Sequence, residues 1–347
     1  MIQDLLTRLP KAELHLHLEG AIRPETAVEL AVRNGVPLGA APQDLYVYDD
    51  LAQFLAVYGR ICQAVVTADD FRRITYEMLE TCARSGARHV EFFISPHAHF
   101  GIPFATQFDG IRAGIAEARA DFGLTALFAP GINRELGPAA AEEYLDACLA
   151  VRCEEMVGLG LDYNEAPFPP EPFAPVFARA RAAGLQVSAH AGEGGPAAYV
   201  RGSLDRLGVR RIDHGYAVVQ DPDLVARCRE DGVLFTCCPT TTRYTTPWRD
   251  LTAADHPIRL MREAGLAVTI NSDDPPFFGT TLAREYLIAH RDLGFSLRDL
   301  GDSILTGLAS CWLPEGDKAR LRVEWEAEIA SILAEDQTTM QTVLVSR

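Results

Sequence analysis

Eight short apolar runs, most of them followed by an amphipathic stretch, constrain the fold of this chain more than any other feature. The runs cover residues 13–18, 89–94, 124–129, 157–161, 185–189, 211–213, 233–237 and 266–270. Helical patterns fill the gaps at 139–151, 172–183, 196–207, 221–231 and 256–264. Another runs from a cap at Asp69-Asp70 to Arg84 and is stopped by Ser85-Gly86. This alternation predicts a parallel sheet with crossover helices, because a parallel neighbour is reached only by crossing back over a face. Eight such units fit a (β/α)8 TIM barrel of α/β class; an open doubly wound sheet is the rival. The gap from 18 to 89 is too long for one crossover, so a helical insertion is expected at about 25–66, near the mouth. Additional C-terminal helices are expected at 282–291, 297–308 and 318–333. All 347 residues are read as one barrel domain.

Four strand ends carry groups suited to chemistry. In Glu13-Leu14-His15-Leu16-His17-Leu18, strand alternation puts His15 and His17 on one face, where two imidazoles can chelate a metal. Two histidines on a half-buried strand fit the same letters. His190-Ala191-Gly192-Glu193 places an imidazole and a carboxylate on one strand-to-helix loop, where barrel enzymes keep their working groups. Asp213-His214-Gly215 alone is no more than a turn with a capping Asp. In Asn271-Ser272-Asp273-Asp274-Pro275, two adjacent carboxylates need a compensating cation or proton, which a metal beside Asp273 would supply; an Asx turn before proline fits the same letters.

Their order sharpens the reading, since a barrel brings all four strand ends to one mouth. Three His and one Asp form a donor set for Zn²⁺, one ion per chain, with a position left for water. A second His-x-His, His97 and His99, is assigned to substrate contact and not to metal.

Charge narrows the partners. Lys and Arg number 32 against 48 Asp and Glu, a formal net charge of −16. This opposes nucleic acid as a partner, which needs a basic face. No apolar stretch approaches the ~18 residues of a membrane span, and the first ten residues lack the apolar core of a signal peptide. The chain therefore reads as cytoplasmic, with no membrane partner and an oligomeric state left open. Its cysteines at 62, 82, 148, 153, 228, 237, 238 and 311 include no Cys-x-x-Cys pair and read as buried thiols.

From Leu9 to Leu321 the chain resembles the adenosine/adenine deaminases of the metal-dependent amidohydrolase superfamily. The segments that carry the resemblance are Pro10-Lys11-Ala12-Glu13-Leu14-His15-Leu16-His17-Leu18-Glu19-Gly20, His190-Ala191-Gly192-Glu193, Asp213-His214-Gly215-Tyr216 and Asn271-Ser272-Asp273-Asp274-Pro275. It implies a hydrolase that removes the 6-amino group of adenosine or a closely related 6-aminopurine nucleoside, releasing ammonia. It implies Zn²⁺ on His15, His17, His190 and Asp273, lowering the pKa of a water toward ~7. His214 would orient that water, protonated Glu193 would give a proton to N1, and Asp274 would bond N7. Free adenine is the alternative substrate. A different class, amide, lactam or phosphoester hydrolysis at two metals, needs a bridging carboxylate or lysine in a central strand, and no lysine lies between Lys11 and Lys318.

Several positions depart from that family. Glu19 stands where adenosine deaminases usually carry Asp, near the sugar's 5′ end; adenine deaminases often carry Glu there. Tyr163 falls about where the family has a purine-contacting Gly. The segment Cys238-Pro239-Thr240-Thr241-Thr242-Arg243-Tyr244 is also atypical. Its Arg243 would suit a 5′ carboxylate, as in 6-aminodeoxyfutalosine. Glu19, Tyr163, Gly192, Arg243 and Asp274 are thus the expected substrate contacts, with Phe54, Tyr58 and Phe100 as candidate aromatic lining.

Overall fold

The computed structural model describes residues 2–48 and 51–345, and each of the eight runs contributes a strand there. They are β1 (Lys11–Glu13), β2 (Ala87–Ile94), β3 (Thr125–Asn133), β4 (Gly158–Asp162), β5 (Gln186–Ala191), β6 (Arg211–His214), β7 (Leu234–Cys237) and β8 (Ala267–Ile270). Each pairs in parallel with the next, in chain order. Just past β1 and β8, the His17 N–H donates to Asp273 O and the Asp273 N–H to His15 O, both at 3.0 Å. These bonds draw the ends of the sheet together into a nearly closed barrel, which sets the open-sheet alternative aside. All eight carboxyl ends then converge on one mouth.

Regular β1 is shorter and earlier than the expected 13–18. Residues 14–18 instead pair only through isolated bridges, Leu16 with Asp273 and His17 with Phe93. The cause is local: the Leu14 N–H is taken by the Asn271 side chain at 2.9 Å in place of a ladder carbonyl. The cap of the helix Ala68–Arg84 also differs. Thr67, not Asp69-Asp70, is the cap residue: its hydroxyl accepts the Asp70 N–H at 3.2 Å, and Asp70 Oδ2 accepts the Thr67 N–H at 2.9 Å.

The helical insertion comprises Pro24–Asn34, Pro42–Leu45 and Leu51–Ala64. Tyr46 donates its hydroxyl to Ile22 O at 2.6 Å, Tyr48 donates to Phe277 O, and the Phe54 ring stacks on Phe278 at 5.5 Å. The last two of these contacts hold the insertion against the loop that follows β8, beside the mouth. Three helices follow at Leu282–Arg291, Leu297–Ser310 and Glu315–Val345. No helix among the described residues is long and apolar enough to cross a membrane.

Lys11 begins β1, at the end of the barrel opposite the mouth. Fully buried, its ammonium donates to the carbonyls of Leu6, Leu9 (2.7 Å) and Ser85 (2.9 Å), a use for all three of its N–H donors. It ties the helix Ile2–Arg8 to the start of β1 and β2.

Candidate active site

The strand ends deliver the side chains that the motifs single out. Among the described residues only three non-glycines have positive φ: Tyr163 (71°), His214 (67°) and Asp273 (64°). They lie at the ends of β4, β6 and β8. Such a conformation costs of order 1–3 kcal/mol and persists where the surroundings enforce it, often at functional sites.

His15, His17 and His190 converge within 4.8 Å, all buried. The His15 and His190 Nε2 atoms are 3.1 Å apart. Asp273 Oδ1 lies 3.4 Å from His15 Nε2 and 3.3 Å from His17 Nε2. Donors bonded to one zinc at ~2.0–2.1 Å in a tetrahedron are separated by roughly 3.3 Å, so these spacings fit a single ion. The outer contacts fit too. His15 Nδ1 meets the Thr236 hydroxyl at 2.9 Å, and His190 Nδ1 meets Leu161 O at 3.2 Å. A proton on each Nδ1 leaves each Nε2 lone pair facing inward. Cys238 lies in an overlapping group with His15, His214 and Asp273, and burial pushes its thiol well above its ordinary value.

The electrostatics require positive charge at this point. Burial pushes the Asp273 carboxyl up, but His15 and His17 outweigh it and hold it well below the carboxylate range. Burial likewise opposes charge on His17, yet Asp162, Asp274 and Asp273 raise it. Burial, followed by the charge of Asp273, pushes Asp274 well above its ordinary value. The adjacent carboxyls are therefore pushed in opposite directions, Asp273 down and Asp274 up. Burial, then His15, keeps His190 and His214 neutral.

Glu193, His214 and Asp274 join the ligand set around a cleft of about 750 Å³, open mouth included. Glu193 Oε2 is 3.6 Å from His214 Nε2, and its other oxygen accepts from the Thr245 hydroxyl. Burial and then the charge of Asp273 push Glu193 up to about 8. Asp274 Oδ1 is buried with no hydrogen-bond partner among the described residues, and a Cβ on Gly20 would fall 1.5 Å from it. Glycine at position 20 is what lets this carboxyl sit there.

Two residues that the motifs did not single out complete the site. Asp162, at the end of β4, places its carboxylate 3.5 Å from His17 Nδ1 and 3.7 Å from His190 Nε2. Glu165 accepts the backbone N–H of Gly192 and, at 3.0 Å each, those of Glu193, Gly194 and Gly195. The loop that presents Glu193 is wrapped around this one carboxylate. Glu165→Gln puts an NH₂ group where acceptors are needed. The expected result is a fall in kcat of about ten- to a hundredfold with metal content unchanged; parallel metal analysis and turnover check it.

The expected substrate contacts divide. Tyr163 lines the cleft, as do Phe54 and Tyr58, while Phe100 is 82% exposed. Glu19 is buried but does not line the cleft: it accepts from the Ser95 N–H at 2.9 Å and the Tyr58 hydroxyl at 3.2 Å, and meets His99 Nε2 at 3.1 Å. The other nitrogen of His99 faces Cys62 O at 2.8 Å, so this residue is built into the wall. The ring of His97 packs 5.2 Å from that of Tyr163. Gly192 spends its N–H on Glu165 and does not line the cleft. Arg243 is exposed, with its charge felt at Asp250 and Asp292, and it does not line the cleft either.

Comparison with known proteins matches residues 10–327 to the adenosine deaminase family model. An adenine deaminase of Bordetella avium is 40% identical over 315 residues, covering 89% of this chain and 99% of that protein. An amidohydrolase of Burkholderia ambifaria, solved with bound Zn, superposes with a TM-score of 0.91 at 37% identity, covering 96% of this chain and 94% of that one. The adenine deaminase of Arthrobacter aurescens superposes with a TM-score of 0.86 at 34% identity, covering 94% and 99%.

Proposed function

The chain belongs to the adenosine deaminase family, and from that premise we propose that this metal-dependent purine deaminase acts on free adenine. Water and adenine give the 6-oxopurine and ammonia. The nucleoside reading from the motifs gives way because of one observation: both oxygens of Glu19 are already used inside the wall, so neither is offered to a sugar hydroxyl. The Tyr163 ring further takes up part of the cleft wall, and Arg243 is exposed and outside the cleft lining. The adenine deaminases among the relatives support the same choice.

In this reading His15, His17, His190 and Asp273 hold zinc, which when bound lowers the pKa of water toward ~7. The neutral His214 turns its Nε2 into the cleft, while Nδ1 faces the Tyr216 hydroxyl at 3.2 Å; it accepts the proton that the attacking water sheds. Protonated Glu193 donates to N1, raising the electrophilicity of C6. Asp274, kept protonated, donates to the acceptor N7 and so satisfies its own unpaired oxygen. The eight cysteines, all free, suit a reducing cytoplasmic setting.

The test is kcat/KM for adenine, adenosine and 6-aminodeoxyfutalosine, measured in parallel on zinc-loaded protein. Adenine is expected to lead by at least about a hundredfold, the scale on which a filled subsite rejects a substituent. A lead for either nucleoside overturns the assignment of substrate while leaving the chemistry in place.

A further inference from the structure

The amino ends of β5, β6 and β7 border a second cavity, at the end of the barrel opposite the metal centre. It measures about 1010 Å³ with its open mouth included, and Arg181, Arg210, Arg211 and Lys318 line it against a single acid, Glu315. In a chain of net charge −16 this is a local reversal of sign. Two of the four cations have little protein charge to meet. Arg210, with 71% of its side chain exposed, reaches Asp231 only at 3.5 Å. Arg181 spends one Nη on the carbonyl of Leu207, a neutral partner.

Arg211 is 3% exposed. One Nη pairs with Glu91 at 2.7 Å and with Ser310 O at 3.0 Å, and its guanidinium lies 3.9 Å over the Trp312 ring. Its Nε and its other Nη are buried with no hydrogen-bond partner among the described residues. A buried guanidinium with three unused N–H bonds on two nitrogens is a costly arrangement that an acceptor from outside the chain would relieve. Lys318 is held at the rim by the carbonyls of Ala309 and Cys311 at 3.2 and 3.3 Å, and by Glu315 at 2.6 Å.

We propose that this basin binds the phosphate group of a small phosphorylated molecule, with Arg210, Lys318 and Arg181 as its charged rim and Arg211 at its floor. Guanidinium groups match phosphate geometry through paired donors, and a concave basin admits a small ligand better than a flat polymer surface does. β5 and β6, which start at the basin, end at His190 and His214, so the ligand and the metal centre share two strands.

Calorimetric titration of the zinc-loaded protein with inorganic phosphate and, separately, with adenosine monophosphate tests the site. Saturable binding of one phosphate group per chain is expected. The double variant Arg210→Ala/Lys318→Ala, at partly exposed positions far from the cleft, is expected to weaken it at least about tenfold, the worth of one charge-assisted hydrogen bond, with turnover of adenine unchanged. Tighter binding of the nucleotide than of phosphate identifies a nucleotide ligand; equal binding identifies the phosphate group alone. No saturable binding of either at about millimolar concentration, weaker than any site of this charge should give, overturns the proposal. So does binding that the double variant leaves intact.

Discussion

Glu193→Gln is expected to keep zinc and lose turnover by about a thousandfold, within the range for removing a positioned general acid. The amide preserves the shape of the carboxyl and can still take the Thr245 hydroxyl bond, but it has no proton to release. Burial and the charge of Asp273 raise the parent carboxyl to about 8. The acid form is therefore the one present at neutral pH, and kcat/KM of the parent should fall as pH rises through that value. Thermal stability gives an independent readout. A carboxyl whose folded pKa lies above its unfolded one loses stability as pH climbs between the two, because the unfolded chain ionises first. The Gln variant is freed from that loss, so near pH 8 its melting temperature should be no lower than the parent's. Substantial retained turnover, with the fold intact, removes Glu193 from the role of acid.

The second large effect is expected at Asp273. Asp273→Ala removes the oxygen that both His15 and His17 face, and zinc affinity should fall by more than about a hundredfold, with activity following it. Position 273 has φ of 64°, which alanine tolerates poorly, so the substitution also strains the backbone. Asp273→Asn separates the two causes: asparagine accepts that conformation and keeps the shape while removing the charge. Loss of metal in both variants places the effect on the ligand. Full zinc content in Asp273→Asn takes the carboxylate out of the ligand set.

The barrel and its centre were legible in the chain for a physical reason. A parallel barrel requires a strand and a crossover at every step, so periodicity reports it directly, and the candidate site residues sit at strand ends, where short motifs mark them. His15, His17, His190, His214 and Asp273 all came from such motifs. What escaped were residues whose roles depend on distant backbone. Glu165 is isolated in sequence, and its four N–H partners lie 27 to 30 positions away. Asp162 reads as an ordinary strand terminus until His17 and His190 are placed beside it. Glu19 was noticed for its family position, but only the fold shows that Ser95, Tyr58 and His99 consume its oxygens. Arg243 was read as a contact because its segment is atypical, and which way an exposed side chain turns has no periodic signature. The cap falls on Thr67 and not on Asp69-Asp70 because Thr67 and Asp70 have capping-box spacing.

One metal is expected to support deamination at this cleft. The direct measurement strips the protein with a chelator, restores zinc in steps, and follows adenine absorbance together with ammonia released. Activity is expected to vanish on stripping and to return in proportion to zinc, reaching its plateau at one equivalent per chain, with one ammonia for each adenine consumed. Undiminished turnover in metal-free protein, or a plateau reached only at two equivalents, contradicts it.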